Sequence, residues 1–193
     1  MTTAERGAPA RRDPVRLALP GRTLLLVAGM PGAGKSTLLA ALAPAPGLVV
    51  LDSERYRAAL ARVLPARTPY SWYRPLVHLG HRAAVVKAVM SSAPTVVVHL
   101  PATSGSTRAA LARLAAQAGR TAHLLWVDVD PRDALLGQRA RGRVVPGSSF
   151  TRHAERGVAT AADLRAGLRP AGWATVTLLD RSDAGRGLRL DTR

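Results

Sequence analysis

An α/β domain with a mainly parallel sheet, covered by helices on both faces, is the fold this sequence predicts. Five short apolar runs recur along the chain: TLLLVA at 23–28, LVVL at 48–51, TVVVHL at 95–100, AHLLWVDV at 122–129 and ATVTLL at 174–179. The first is continuous rather than alternating, as a strand buried on both faces is. Between the runs lie segments of helical spacing, long enough for the crossovers a parallel sheet needs.

The elements follow in order. Strand 23–28 runs into a glycine-rich turn, and a helix from Lys35 is expected to end at Pro44. Strand 48–51 leads through Asp52 and Ser53 into a helix with apolar positions Tyr56, Ala59, Leu60, Val63 and Leu64, stopped by Pro65. A longer helix is expected over 70–92, with Pro75 in its first turns. After strand 95–100, Ser104, Ser106 and Thr107 are candidate caps for a helix that closes at Gly119. After strand 122–129, a helix from Pro131 carries the arginines of GQRARGR, and VVPGSS reads as a loop. Thr160 and Asp163 have capping-box spacing, which starts a short helix closed by Gly167 or Pro170. Strand 174–179 ends the sheet.

A chain of 193 residues can bury one proper core and is short for two. The expected domain covers 20–180. Residues 1–19, rich in Pro, Ala and Arg without periodicity, read as a flexible arm, and 181–193 as a tail. Cysteine is absent, which excludes disulfides and Cys-based metal sites. The first residues lack the apolar stretch of a signal peptide, and no run approaches the ~18 apolar residues of a membrane span, so a cytoplasmic protein is expected.

The net charge of +16 raises nucleic acid or a phosphorylated ligand as a partner. Part of that charge is compositional, since Ala, Gly, Pro and Arg together suggest GC-rich codons and only Lys35 and Lys87 are lysine among 28 basic residues. No basic stripe interleaved with aromatics marks a dedicated nucleic-acid module.

Chemistry concentrates in the first turn. Gly29, Met30, Pro31, Gly32, Ala33, Gly34, Lys35 and Ser36 satisfy G-x-x-x-x-G-K-[ST] between a strand and a helix, and Thr37 follows. Glycines let successive N–H groups face one phosphate while the helix start adds positive field. Lys35 would reach the outer phosphates of a nucleotide, and the Ser36 hydroxyl would bind Mg²⁺. One of the two lysines thus falls where an ammonium, not a guanidinium, is required.

LDSERYR then puts Asp52 and Glu54 at the C-terminal end of the second strand, the edge where open parallel sheets bind ligands. A phosphotransferase needs a carboxylate there to take the acceptor proton or to hold Mg²⁺ through water. Asp52 with Arg55, and Glu54 with Arg57, both have an acid-x-x-Arg spacing. Alternatively, Asp52 and Ser53 merely cap the helix.

With MPGAGKST followed by this segment, the chain resembles the P-loop kinase group that includes phage polynucleotide 5′-kinase, zeta toxins and chloramphenicol phosphotransferase. Their second strand leads to S-x-D-x-x-R or S-D-x-x-R. Aligning Ser53, Glu54 and Arg57 puts Glu where Asp is usual, and aligning Asp52 with Arg55 shifts the register, so both acids stay candidate bases. The resemblance implies a three-layer P-loop NTPase fold of about five strands in order 2-3-1-4-5. It also implies Mg²⁺ and ATP, with GTP not separated from it, and γ-phosphoryl transfer to a hydroxyl of a small molecule or a nucleic-acid end. Ser36 and Asp52 would serve the metal, and Arg57 would orient the acceptor. QRARGR resembles the lid of small kinases, which makes Arg139 and Arg143 candidates to stabilise the transferring group.

The third strand lacks the carboxylate many P-loop NTPases carry at its end; VVVHL offers His99. That weakens a fast hydrolase and moves the metal-linked acid back to Asp52. A slow NTPase switch and a non-catalytic nucleotide- or nucleic-acid-binding regulator are the rivals. Tyr70, Trp72 and Tyr73 either stack on an acceptor or anchor a helix on the core.

Overall fold

A computed structural model describes residues 13–140 and 147–191. Five strands, β2 (Thr23–Gly29), β3 (Leu48–Asp52), β4 (Thr95–His99), β5 (Thr121–Val127) and β6 (Thr175–Leu179), form one sheet in the order β3-β4-β2-β5-β6. Every neighbouring pair is parallel. Counting only these five, this is the order 2-3-1-4-5 that the resemblance implied.

The alternation of strand side chains explains the three layers. From β2, Leu24, Leu26 and Ala28 enter one core with Val85, Val89, Leu111 and Ala115; Leu25 and Val27 enter the other with Leu38, Ala134 and Ala184. Helices α3 (Tyr70–Met90) and α4 (Gly105–Gln117) therefore cover the first face, while α1 (Lys35–Ala40), α5 (Pro131–Arg139) and the short α7 (Arg181–Arg186) cover the second. Helix α2 (Ser53–Val63) contributes no fully buried residue and rests on α3, where the Tyr56 ring meets His81 edge-on at 5.6 Å. Among the described residues no helix is long and apolar enough to cross a membrane.

Helix α6 (Gly147–Arg165) takes in residues 147–149 of the expected loop and replaces the expected short helix, while residues 144–146 of that loop lie outside the described residues. Thr160 is buried in its interior, so the Thr160/Asp163 spacing is not a helix start. The apolar side of α6 runs through Phe150, Ala154, Gly157 and Ala161, and three of those four residues are too small to register as a hydrophobic stripe. Phe150 and Ala154 join the second core and Leu164 the first, so α6 touches both. Helix α1 also ends earlier than expected, at Ala40 rather than near Pro44.

The domain limits shift as well. β1 (Val15–Ala18), placed by the sequence in an arm, pairs in parallel with β7 (Leu188–Asp191), placed in a tail. Both are four-residue, half-exposed strands, a pattern too short to stand out from a loop. Residues 1–12, the rest of the expected arm, lie outside the described residues.

Arg120 locks the base of the sheet. Its guanidinium donates to the carbonyls of Val89 (2.6 Å), Ser91 (2.8 Å) and Pro94 (3.2 Å), which joins the end of α3 to the entry of β4. Removing it leaves carbonyls around a buried site without their charged donor. Arg120→Met is expected to destabilise the fold by about 2–4 kcal/mol, read from urea denaturation; an unchanged midpoint would show that water replaces the guanidinium without loss.

Candidate active site

The phosphate loop joins β2 to α1. Gly29, Gly32 and Gly34 all have positive φ, at 135°, 91° and 104°. A Cβ on Gly32 would run into the Ala134 carbonyl of α5, and Gln138 of the same helix donates to the Pro31 carbonyl at 3.0 Å. Close approach, not just turning, thus demands glycine. Gly34 stands at the N-cap of α1 without a side-chain cap. Gly32→Ala is therefore expected to displace the loop and weaken nucleotide binding at least ~10-fold, measured by calorimetry; wild-type affinity would contradict this packing.

Lys35 is 5% exposed, and its Nζ donates to the carbonyls of Gly29 and Met30, both at 2.8 Å. The loop thereby encloses its own ammonium. Ser36 and Thr37 open the first turn of α1. A run of turn glycines, a buried ammonium and a hydroxyl at the helix start suit the polyphosphate of a nucleotide with its Mg²⁺. Among the described residues no group of three or more His, Cys, Asp or Glu could hold a metal ion.

Asp52 ends β3, and its Oδ1 accepts the Glu54 N–H at 3.1 Å, so it does cap α2. It has a second neighbour. Sheet register sets Asp52 beside His99 of β4, with Oδ1 and Nδ1 3.1 Å apart. Burial pushes the Asp52 carboxyl up, but His99, the Glu54 N–H and His81 together outweigh it and hold the group below its ordinary 3.8.

Glu54 and Arg57 face each other at 4.0 Å, and the Arg57 guanidinium lies over the Tyr70 ring at 4.6 Å. These three line a cleft of about 1180 Å³ between α2, α3, α4 and α6. Arg55 is exposed and outside it. The aromatic segment divides three ways: Tyr70 faces the cleft, Tyr73 is buried, and Trp72 is 77% exposed. Arg139 is exposed at the end of α5, beside the residue that braces the loop; Arg143 lies outside the described residues.

Residues that the sequence reading missed close the cleft. His153 and Arg156 come from α6, and the Thr103 hydroxyl sits 2.8 Å from His153 Nδ1. The only available signal was the helical spacing of Phe150, Ala154, Gly157 and Ala161. Gly157 lets α6 press on Met30 of the phosphate loop, since a Cβ there would meet the Met30 side chain. A second hollow of about 1020 Å³, between α1, α7 and β7, touches the loop at Thr37 and lacks Glu54, while the cleft touches the loop at Pro31; among the described residues Asp52 lines neither.

His81, 1% exposed, lies under this site with Nε2 unpartnered. Burial lowers its pKa below the ordinary 6.5, despite opposing contributions from Leu51 and Asp52. His78, His123 and His153 shift the same way, with burial leading each time. An unfolded chain then takes up protons first as pH falls, so this part of stability is complete above about pH 6.5 and is lost below it, toward the lowered native values. The urea midpoint should drop between pH 7.5 and 5.5, led by the buried His81 and His123; a flat profile would contradict neutral imidazoles at those two sites.

Residues 24–166 match the family model AAA_33, described as an AAA domain, a span well beyond half of the 193 residues. The chain belongs to the AAA_33 family. No curated protein matches this AAA domain. Among solved structures, one from the PezAT chromosomal toxin–antitoxin system of Streptococcus pneumoniae superposes with a TM-score of 0.56 at 11% identity, over 91% of this chain and 72% of that one. A provisionally assigned kinase from Chloroflexus aurantiacus gives 0.56 at 17% identity, over 82% and 85%. At such identities the likeness is one of fold. The family match and the G-x-x-x-x-G-K-[ST] loop make the chain a P-loop nucleotide-binding domain, and the solved structures add a likeness of fold alone.

Proposed function

We propose that the AAA domain binds ATP with Mg²⁺ and transfers the γ-phosphoryl to a hydroxyl of an acceptor held in the α2–α3–α4–α6 cleft. One observation carries the reading: the loop enclosing the Lys35 ammonium meets, at Pro31, a cleft whose wall supplies Glu54 and Arg57, with Asp52 at the same sheet edge. Loop amides from Gly29 to Thr37 and Lys35 would hold the phosphates, and the Ser36 hydroxyl would hold Mg²⁺, which would offset phosphate charge. Asp52, ionised at neutral pH, orients the acceptor hydroxyl and takes its proton as the O–P bond forms and ADP leaves. Glu54 and Arg57 orient the acceptor. Arg139, exposed at the end of α5, would stabilise charge on the transferred group, a role the resemblance also gives to Arg143.

His99 stands at the end of β4, where many P-loop NTPases carry a carboxylate, and this speaks against efficient hydrolysis. The test is incubation with γ-labelled ATP and separate pools of nucleosides, nucleotides, oligonucleotides and sugars. Label entering one pool supports the proposal. Label released only as free phosphate in every pool turns the reading into a slow NTPase.

A further inference from the structure

The transfer reading leaves the acceptor unidentified, and the charge of its cleft narrows it. Tyr70, Arg74, His78 and Arg82 recur every four residues along α3, which sets them in one row, and all four line the cleft. Arg74 and Arg82 stand on either side of His78 in this row, and α3 contains no acidic residue to pair with them. Arg74 Nε donates instead to His78 Nε2 at 3.2 Å. Across the cleft, α6 adds Arg156 beside His153.

The scarce carboxylates are placed elsewhere. Arg165 is paired with Asp128, Arg186 with Asp183 and Arg57 with Glu54, but no carboxylate among the described residues pairs with Arg74, Arg82 or Arg156. The cleft lining thus holds four guanidiniums, on Arg57, Arg74, Arg82 and Arg156, against the single acid Glu54. The two imidazoles register this field: after burial, Arg74 and Arg82 push the His78 pKa down, and Arg156, Lys35, Arg152 and Arg74 do so for His153. Between the cationic walls, Val85, Leu111 and Leu114 give an apolar floor. Such a site suits an organic skeleton that carries a compact anion. Among the described lining residues Tyr70 is the one Phe, Tyr or Trp, beside the imidazoles of His78, His81 and His153, and a lone large ring does not suit a strand of stacked bases.

We infer that the acceptor is a small molecule bearing an anionic group, a phosphate or a carboxylate, in addition to the hydroxyl that is phosphorylated, and that Arg74, Arg82 and Arg156 bind that group. This inference rests on the transfer reading for the word acceptor, but anion binding can be tested without it. The probe is inorganic phosphate, titrated against Lys35→Ala protein so that the phosphate loop contributes little, with the His78 imidazole followed by NMR. Phosphate should move the His78 resonances and raise its pKa, since a nearby anion favours imidazolium. Arg74→Gln combined with Arg82→Gln, both on an exposed helix face, should weaken this binding about tenfold, while Arg62→Gln outside the cleft should not. No response of His78, or equal binding by the double variant, overturns the inference.

The second arm uses wild-type protein and γ-labelled ATP with matched pairs, uridine against uridine 5′-monophosphate and glucose against glucose 6-phosphate. Label should prefer the anionic partner in kcat/KM, and the double variant should erase that preference. Preference for the neutral partners, or for oligonucleotides over mononucleotides, overturns the small-anion assignment. If phosphate binds at His78 yet nothing is labelled, the anion site stands and the transfer reading fails.

Discussion

Asp52→Asn should lower the rate of phosphoryl transfer by about 10²–10⁴-fold, the usual contribution of a positioned general base, with Mg·ATP affinity changed far less. The substitution keeps shape and can still accept the Glu54 N–H, so α2 should stay capped. What it loses is a negative charge 3.1 Å from His99 at the edge of the phosphate site. The pH dependence follows. Burial raises the Asp52 pKa while His99, the Glu54 N–H and His81 lower it, with a net result below 3.8. Transfer should therefore show no loss of this base between pH 7 and 5. Removing His99 leaves burial less opposed, so His99→Ala should raise the Asp52 pKa and move the acid limb of the rate profile upward. Its stability contribution has the matching sign: present above the ordinary carboxylate pKa, and lost only as pH falls through the lowered native value.

Lys35→Ala should weaken Mg·ATP binding by at least ~100-fold, because a buried ammonium aimed at phosphates makes charge-assisted contacts that neither water nor the loop amides replace. The same ammonium ties the Gly29 and Met30 carbonyls together, so part of the loss comes from a loop that no longer closes on itself. Arginine is not a rescue. Its planar fork cannot sit between the two carbonyls as a compact three-donor charge does, and Lys35→Arg should remain well below wild type. Titration calorimetry on both variants, with folding checked by circular dichroism, reads the effect.

What could be read from sequence follows from the range of each signal. Strands β2, β4 and β5 are dense runs of Leu and Val, and the phosphate loop has its glycines and lysine within eight residues, so local pattern suffices for both. The partnership of Asp52 with His99 depends on β3 lying beside β4, and no local pattern encodes that register. The cleft face of α6 was hidden because Ala154, Gly157 and Ala161 pack by being small. Arg120, which holds carbonyls from α3 and β4, and Arg108, which donates to the Ala102 and Thr103 carbonyls, look in sequence like any other arginine of an arginine-rich chain. Only burial separates them.

A single-turnover experiment with γ-labelled ATP, Mg²⁺ and the mixed acceptor pools most directly tests whether this site transfers a phosphoryl group. The wild-type protein should place label on an acceptor, Asp52→Asn should bind ATP yet transfer slowly, and Lys35→Ala should do neither. Label that appears only as free phosphate, or transfer that survives Lys35→Ala, would contradict phosphoryl transfer at this loop and cleft.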